Sequence, residues 1–259
     1  MRQWELLVGE VLAPARGYVE LRLEATQALE AEPGQFFMLR AGNLPDTYLP
    51  RAFSWYRQDA PRRLSFLFRV EGPGTRELAR LRTGDLLQAM GPLGRGFPLP
   101  QQPIRAAILG GGVGVPPLWG LAKALLQGGS DVLALIGARA KAHIVGAKEI
   151  AALGARVLVA TDDGSEGYRG PLTDLLPEEG IDAIYACGPE GMLRRVQQIS
   201  LADGPPAYLA LEAPMACGYG VCMGCVVERA EPPSDQGEYG RWARVCREGP
   251  VFAAQEVRL

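Results

Sequence analysis

The stretch AILGGGVGVPPL, residues 107–118, decides the fold. A short apolar run leads into Gly110, Gly111, Gly112 and Gly114, and the apolar segment LWGLAKALLQ (118–127) follows. This reads as strand, tight turn and helix. Such a turn presents backbone N–H groups and the positive end of a helix dipole to a phosphate. The spacing is not a strict G-x-G-x-x-G, so a tight turn without a ligand is the alternative reading. Downstream, DVLALIGAR (131–139), ARVLVATDDG (155–164) and DAIYACG (182–188) read as further strands, and EGMLRRVQQIS (190–200) as a helix. Strands alternating with helices predict an α/β, doubly wound parallel sheet over residues 100–210. The carboxyl ends of such strands line the ligand crevice, which places Cys187, Gly188 and Pro189 there. Taken alone, Cys187 reads as a small buried residue before a turn. No acidic residue closes the strand at GAR; Arg139 and Lys141 would meet a 2′-phosphate or be solvated. The choice between NAD and NADP therefore stays open on chemistry alone.

Residues 1–99 have a different rhythm. GYVELRLEA (17–25), GQFFMLRA (34–41), RAFSWYR (51–57) and RLSFLFRV (63–70) read as strands between Gly/Pro turns. Short strands at this spacing predict a small antiparallel β-barrel. A short helix is expected at TRELARL, with Thr75 as its N-cap. The guanidinium of Arg51 suits a pyrophosphate; Ser54 follows on the same strand without having to face the same way. Gly72, Gly74 and Thr75 lead into a helix, again a phosphate-type terminus. LPQQPI (99–104) reads as a linker.

Residues 211–259 contain MACGYGVCMGCVV (215–227), with Cys217, Cys222 and Cys225 in a C-x4-C-x2-C spacing and Cys246 further on. That spacing is the plant-type one for a [2Fe–2S] cluster. Gly218, Gly220 and Gly224 let backbone approach the sulfides. A four-cysteine structural zinc site is the competing reading, but it usually shows two C-x2-C knuckles and here there is one. A module this small needs a staple to stay folded. The 259-residue chain has a net charge of −2 and 47% hydrophobic residues, a balance with no argument for nucleic acid or a membrane surface as partner. MRQWELLVGE has no signal-peptide h-region and no apolar run is long enough to span a bilayer, so the expected location is cytoplasmic. There, clustered thiols bind metal or do redox work rather than form disulfides.

The ordered set R-x-F-S, G-x-G-T, GPLGRGF, LGGGVGV, CGPEGM and C-x4-C-x2-C…C resembles the ferredoxin–NADP reductase superfamily. Within it, the chain is similar to the family of dihydroorotate dehydrogenase B electron-transfer subunits, in which the [2Fe–2S] module follows the flavin and nicotinamide modules. The resemblance covers nearly the whole chain. It implies an FAD-binding barrel (1–99), a nicotinamide-dinucleotide domain (100–210) and a [2Fe–2S] domain (211–259). It implies Arg51 on the FAD pyrophosphate, Ala52 and Phe53 on the same flavin strand, and Ser54 near the isoalloxazine. Phe68, Arg69 and Val70 match the next flavin-contacting strand, and Gly74 and Thr75 the diphosphate turn. Gly110, Gly111, Gly112 and Gly114 match the dinucleotide loop. Cys187, Gly188 and Pro189 match the element beside the nicotinamide. Cys217, Cys222, Cys225 and Cys246 match the cluster ligands.

The family usually has proline after the flavin-strand arginine, where this chain has Ala52. The segment ERAEPPSDQGEYGRWAR between Cys225 and Cys246 is long, and an extended hairpin at a partner interface is the expectation for it. The implied role is an oxidoreductase subunit that passes electrons from an FMN-containing dihydroorotate dehydrogenase catalytic subunit, in a hetero-oligomer, through [2Fe–2S] and FAD to NAD+. The flavin does the chemistry, which suits a chain with one histidine, His143, expected on a surface turn. Two alternatives stand beside it. One is an NAD(P)H-dependent reductase subunit serving ferredoxin, sulfur or a hydrogenase. The other is a zinc-stapled binding protein without redox cofactors.

Overall fold

In the computed structural model, which describes residues 1–41, 49–231, 233 and 237–259, antiparallel pairing organises the N-terminal third. The strands are β1 (Arg2–Leu12), β2 (Tyr18–Ala25), β3 (Phe36–Ala41), β4 (Arg51–Ser54), β5 (Arg63–Arg69) and β6 (Leu86–Leu93), in sheet order β4-β3-β6-β1-β2-β5. The sheet curls until its ends meet. Tyr56 N–H donates to the Ser65 carbonyl and Ser65 N–H to the Arg57 carbonyl, both at 2.8 Å. Closure of this kind removes exposed strand edges. Its interior is apolar, with Leu21, Phe37, Phe66, Phe68 and Leu87 fully buried.

Sequence patterning misses two of these strands. In β1, Leu6 and Val8 point inward while Leu7 is exposed, so three consecutive apolar residues hide the alternation. In β6, Gly91 and Pro92 read as strand breakers. Gly91 is there because a Cβ would lie 2.6 Å from Cγ of the Phe37 ring. The short helix also differs from expectation. α1 (Pro73–Leu78) is capped three residues earlier, with Gly72 in place of Thr75 as N-cap and proline, whose fixed φ suits the position, in the first turn. Thr75 lies inside the first turn, and its hydroxyl accepts the N–H groups of Glu71 (2.9 Å) and Gly72 (3.0 Å).

The second sheet joins β7 (Arg105–Gly111), β8 (Asp131–Ala138), β9 (Arg156–Thr161), β10 (Tyr168–Arg169), β11 (Ala183–Cys187) and β12 (Ala207–Ala210) in parallel, in order β10-β9-β8-β7-β11-β12. Helices α2 (Pro116–Gln127), α3 (Ala147–Ala151) and α4 (Glu190–Leu201) cross between or follow the strands. β7, β8 and β11 are buried almost throughout, as strands covered on both faces must be. The strand order reverses between β7 and β11, the switch point where open α/β sheets bind ligands. The barrel seats on α2 through Trp55: a Cβ at Gly120 would lie 2.7 Å from Cζ2 of its ring.

The C-terminal segment forms a hairpin of β13 (Val226–Glu228) with β14 (Trp242–Arg244), then β15 (Val251–Ala253), which adds antiparallel to β12. The long segment between Cys225 and Cys246 thus has a hairpin base; positions 232 and 234–236 of the expected extension lie outside the described residues. Among the described residues no helix is long and apolar enough to cross a membrane.

Candidate functional site

Two cavities meet where the barrel faces the parallel sheet. The smaller, about 390 Å³, is walled by Ala52, Phe53 and Ser54 of β4, by Phe68 and Arg69 of β5, and by Thr75 and Cys187. The Phe53 and Phe68 rings lie 5.1 Å apart, an aromatic wall suited to a flat conjugated ring. Arg51 lies over α1. A Cβ at Gly74 would come within 2.7 Å of its Nε, so glycine lets the guanidinium sit against the turn. The structure therefore brings together two residues, 23 positions apart, that the sequence links to one pyrophosphate. Arg51 also donates to the Leu49 carbonyl at 2.8 Å, which fixes the guanidinium plane. Val70 continues β5, its N–H donating to the Gly17 carbonyl at 2.8 Å, and faces the larger cavity.

The larger cavity, about 1420 Å³, opens over the carboxyl ends of the parallel strands. Gly111 and Gly112 border it from β7, and Gly188 and Pro189 border it from β11. The two ends are neighbours, since Cys187 pairs in register with Gly110. The four loop glycines divide their work. Gly112 takes φ +55°, a left-handed conformation that side chains resist. A Cβ at Gly110 would press on Val115 and Leu118, and one at Gly114 would strike the Cys187–Gly188 backbone. Those two glycines permit the close strand–helix packing that holds the loop. Arg139 and Asp162, at the ends of β8 and β9, border the outer part of the same cleft, as does His143 on a 3₁₀ turn at residues 141–143. Cys187 is buried between the cavities, and burial first, then the Glu212 carboxylate, pushes its thiol pKa well up. It is a neutral thiol at neutral pH.

The thiol loop leaves this junction directly. Leu211, Glu212 and Ala213 border both cavities, and Cys217 comes four residues after Ala213. Gly218 (φ +79°) and Gly220 (φ +91°) turn the loop, and the backbone N–H groups of Tyr219, Val221 and Cys222 reach the Cys217 thiol. Burial raises the Cys217 thiol, but hydrogen bonds from the Cys222 and Tyr219 backbones, the Cys222 side chain and the Val221 backbone outweigh it and bring the pKa down to about 6. Cys246 is pushed up to about 12 by burial first and then by Cys225, whose Sγ accepts the Cys246 N–H at 3.4 Å. The thiols thus perturb one another, Cys217 through Cys222, and Cys246 through Cys225 and then Cys217.

A [2Fe–2S] cluster takes two cysteines on each iron, whereas a structural zinc site draws four donors onto one centre. Four cysteine thiols, three from one loop and one from a later segment, are the donor set that a [2Fe–2S] cluster takes. Arg244 braces the loop: it donates to the Gly220 carbonyl at 2.9 Å and forks onto Glu248 at 2.6 and 3.1 Å.

Sequence reasoning did not single out Glu71, Glu212 or Arg244. Isolated charged residues carry no motif; only the spacing of Glu212 and Arg244 around the cysteines was available as a signal.

Residues 212–258 match the family model described as the iron-sulfur cluster binding domain of dihydroorotate dehydrogenase B. The chain is 40% identical over 233 residues to a Geobacillus thermodenitrificans protein named dihydroorotate dehydrogenase B (NAD(+)), electron transfer subunit, covering 88% of this chain and 87% of the relative. A Listeria monocytogenes protein of the same name is 38% identical over 267 residues, covering the whole of both chains. A solved NADH-dependent reduced ferredoxin-NADP oxidoreductase superposes with a TM-score of 0.82 at 26% identity, covering 98% of this chain and 89% of the other.

Proposed function

The chain belongs to the family of dihydroorotate dehydrogenase B electron-transfer subunits, and from that premise we propose that it links an FMN-containing dihydroorotate dehydrogenase catalytic subunit to NAD+. In this reading it works inside a hetero-oligomer. When bound, FAD supplies the exchange between single electrons and a hydride, and a [2Fe–2S] cluster the one-electron relay. Cys217, Cys222, Cys225 and Cys246 would hold the cluster. Arg51, Gly74 and Thr75 bind the FAD pyrophosphate, while Ala52, Phe53, Ser54, Phe68, Arg69 and Val70 shape the flavin side of the junction. Gly111 and Gly112 receive the dinucleotide phosphates. Gly110 and Gly114 keep that loop in place, and Cys187, Gly188 and Pro189 lie beside the nicotinamide.

The units assigned to these tasks are residues 1–99, 100–210 and 211–259. The family and the reducing chemistry of free thiols favour a cytoplasmic setting. The observation that carries the reading is continuity. One short segment, 211–217, runs from the meeting point of both cavities to the first thiol of the cysteine loop. The test is anaerobic spectroscopy of the purified chain. NADH is expected to bleach flavin and iron–sulfur bands together, while dihydroorotate leaves them unchanged until the FMN-containing partner is added. Dihydroorotate oxidation by the chain alone, or zinc in place of iron with no flavin, overturns the reading.

A further inference from the structure

Tyr18 opens β2 at the point where the barrel meets the parallel sheet. Its neighbours are fastened to both units. Val70 N–H donates to the Gly17 carbonyl at 2.8 Å, and Arg16 N–H donates to the Ala142 carbonyl, in the turn after β8, at 3.0 Å. Tyr18 is 3% exposed, and it borders the larger cavity but not the smaller one. Its hydroxyl faces the glycine loop. A Cβ at Gly112 would lie 3.7 Å from the Tyr18 oxygen, the one described group within 4 Å of that position outside the adjoining residues. The hydroxyl has no hydrogen-bond partner among the described residues. Burial is the largest influence on it and outweighs the Arg69 guanidinium, so its pKa stands above the ordinary tyrosine value and the group keeps its proton. A polar group on a side chain this enclosed costs free energy until something accepts its bond.

What can accept it follows from the opposite wall. The glycine loop presents backbone N–H groups, which are donors as well. Arg139, at the end of β8, adds positive charge to the same cavity. The nearby Glu71 carboxylate is taken up by Arg69 at 2.9 Å. Donors facing each other across a cleft fit a group that only accepts and carries negative charge, which is the chemistry of a phosphate. We propose that Tyr18 of the barrel is a phosphate ligand of the nicotinamide dinucleotide, its hydroxyl donating to the pyrophosphate received by the Gly111–Gly112 loop. This deepens the functional reading above and rests on it. The pyrophosphate is then gripped by both units, the loop from the sheet side and the tyrosine from the flavin side. Because it is the same in NAD+ and NADH, the contact positions the nucleotide in either direction of transfer and favours neither redox form.

The experiment uses the holoprotein with flavin and cluster in place. Tyr18→Phe removes the hydroxyl and keeps the buried ring. ADP-ribose carries the pyrophosphate without the nicotinamide and cannot react, so its affinity is read by calorimetry. In Tyr18→Phe that affinity is expected to fall about tenfold, the loss of one hydrogen bond to a charged group. The NADH concentration that gives half the maximal rate of flavin bleaching should rise by about the same factor, while the limiting rate changes by less than about twofold. Reduction by N-benzyl-dihydronicotinamide, which has no phosphate, should match the parent, as should FAD content and Tm. Unchanged ADP-ribose affinity overturns the proposal. Weaker NADH binding with ADP-ribose unaffected also overturns it, because the hydroxyl would then serve the nicotinamide. Loss of FAD or a lower Tm in the variant does the same, by making the hydroxyl a flavin or packing contact. If the parent protein binds neither ADP-ribose nor NADH, it is the functional reading itself that fails.

Discussion

Replacing Gly114 by alanine sets a methyl group against backbone rather than against a movable side chain. The new Cβ would lie 2.5 Å from the Gly188 amide nitrogen and closer still to the Cys187 carbonyl. No rotamer relieves this, so the loop after β7 or the end of β11 has to withdraw by about 1 Å to regain an ordinary contact. Overpacking of this kind costs about 1–3 kcal/mol. Part is expected as lower stability, a fall in Tm of about 2–10 °C for a chain this size. The rest falls on the dinucleotide, because the moving segments carry Gly111, Gly112, Gly188 and Pro189. A displacement near 1 Å at a positioning element lowers productive binding by about ten- to a hundredfold. The barrel does not depend on Gly114, so FAD content and reduction by dithionite should match the parent. The assay is an anaerobic NADH titration read by flavin bleaching, with a thermal melt alongside. A Gly114→Ala protein with parental NADH response and parental Tm would refute the inference that this glycine is dictated by backbone contact.

Serine at Cys222 or Cys246 removes one of the four thiols, and iron content is expected to drop sharply while flavin absorbance stays; equal iron in both variants and the parent would contradict their assignment as ligands. Valine at Gly120 drives carbon into the Trp55 ring, whose Cζ2 already lies 2.7 Å from an added Cβ, and should lower Tm by the equivalent of about 1–3 kcal/mol. Arg244→Met breaks the fork to Glu248 and the bond to Gly220; faster cluster loss on dilution or mild chelation is the expected result. Burial raises the Glu248 carboxyl, but Arg244 outweighs it and holds the pKa below the usual value. A depressed carboxylate contributes stability above its unfolded pKa of about 4.3 and loses it as pH falls through the lower folded value. The Tm difference between parent and Arg244→Met should therefore be steady near neutrality and shrink in acid; a constant difference at all pH values would exclude the ion pair as its cause.

The parallel sheet was legible because strands buried on both faces are continuous apolar runs, as in 131–138, and because glycines mark the turn after β7. The thiol loop stands out in the sequence because its cysteines are local, three within nine residues. β1 and β6 were not legible, since Leu7 breaks the alternation on the solvent side and Gly91 serves a ring, Phe37, more than fifty positions away. The start of α1 was misread for a related reason. Threonine is a good cap in isolation, but Pro73 sets the helical φ earlier and leaves the Thr75 hydroxyl to gather two amides from within. Glu212 was not singled out because its place at the meeting point of the two cavities comes from the fold and not from a linear pattern.

The C-terminal segment does more than carry thiols. A Cβ at Gly218 would lie 2.5 Å from Cγ of Met38 in β3, so the thiol loop is pressed directly onto the barrel. Arg95 N–H, just past β6, donates to the Gly249 carbonyl at 2.6 Å, and β15 extends the parallel sheet along β12. On the far side the buried Gln197 of α4 donates to the carbonyls of Ala254 (2.7 Å) and Val257 (2.8 Å). One apolar cluster accordingly holds residues from all three regions: Met38 and Leu93, then Leu109 and Leu209, then Cys225, Cys246 and Phe252. Two of the thiols assigned to the cluster are thus packing residues of the core that joins the flavin side to the nicotinamide side. So short a module is thus held by packing and hydrogen bonds to the two larger units on either side of it, and metal ligation would add to that scaffold.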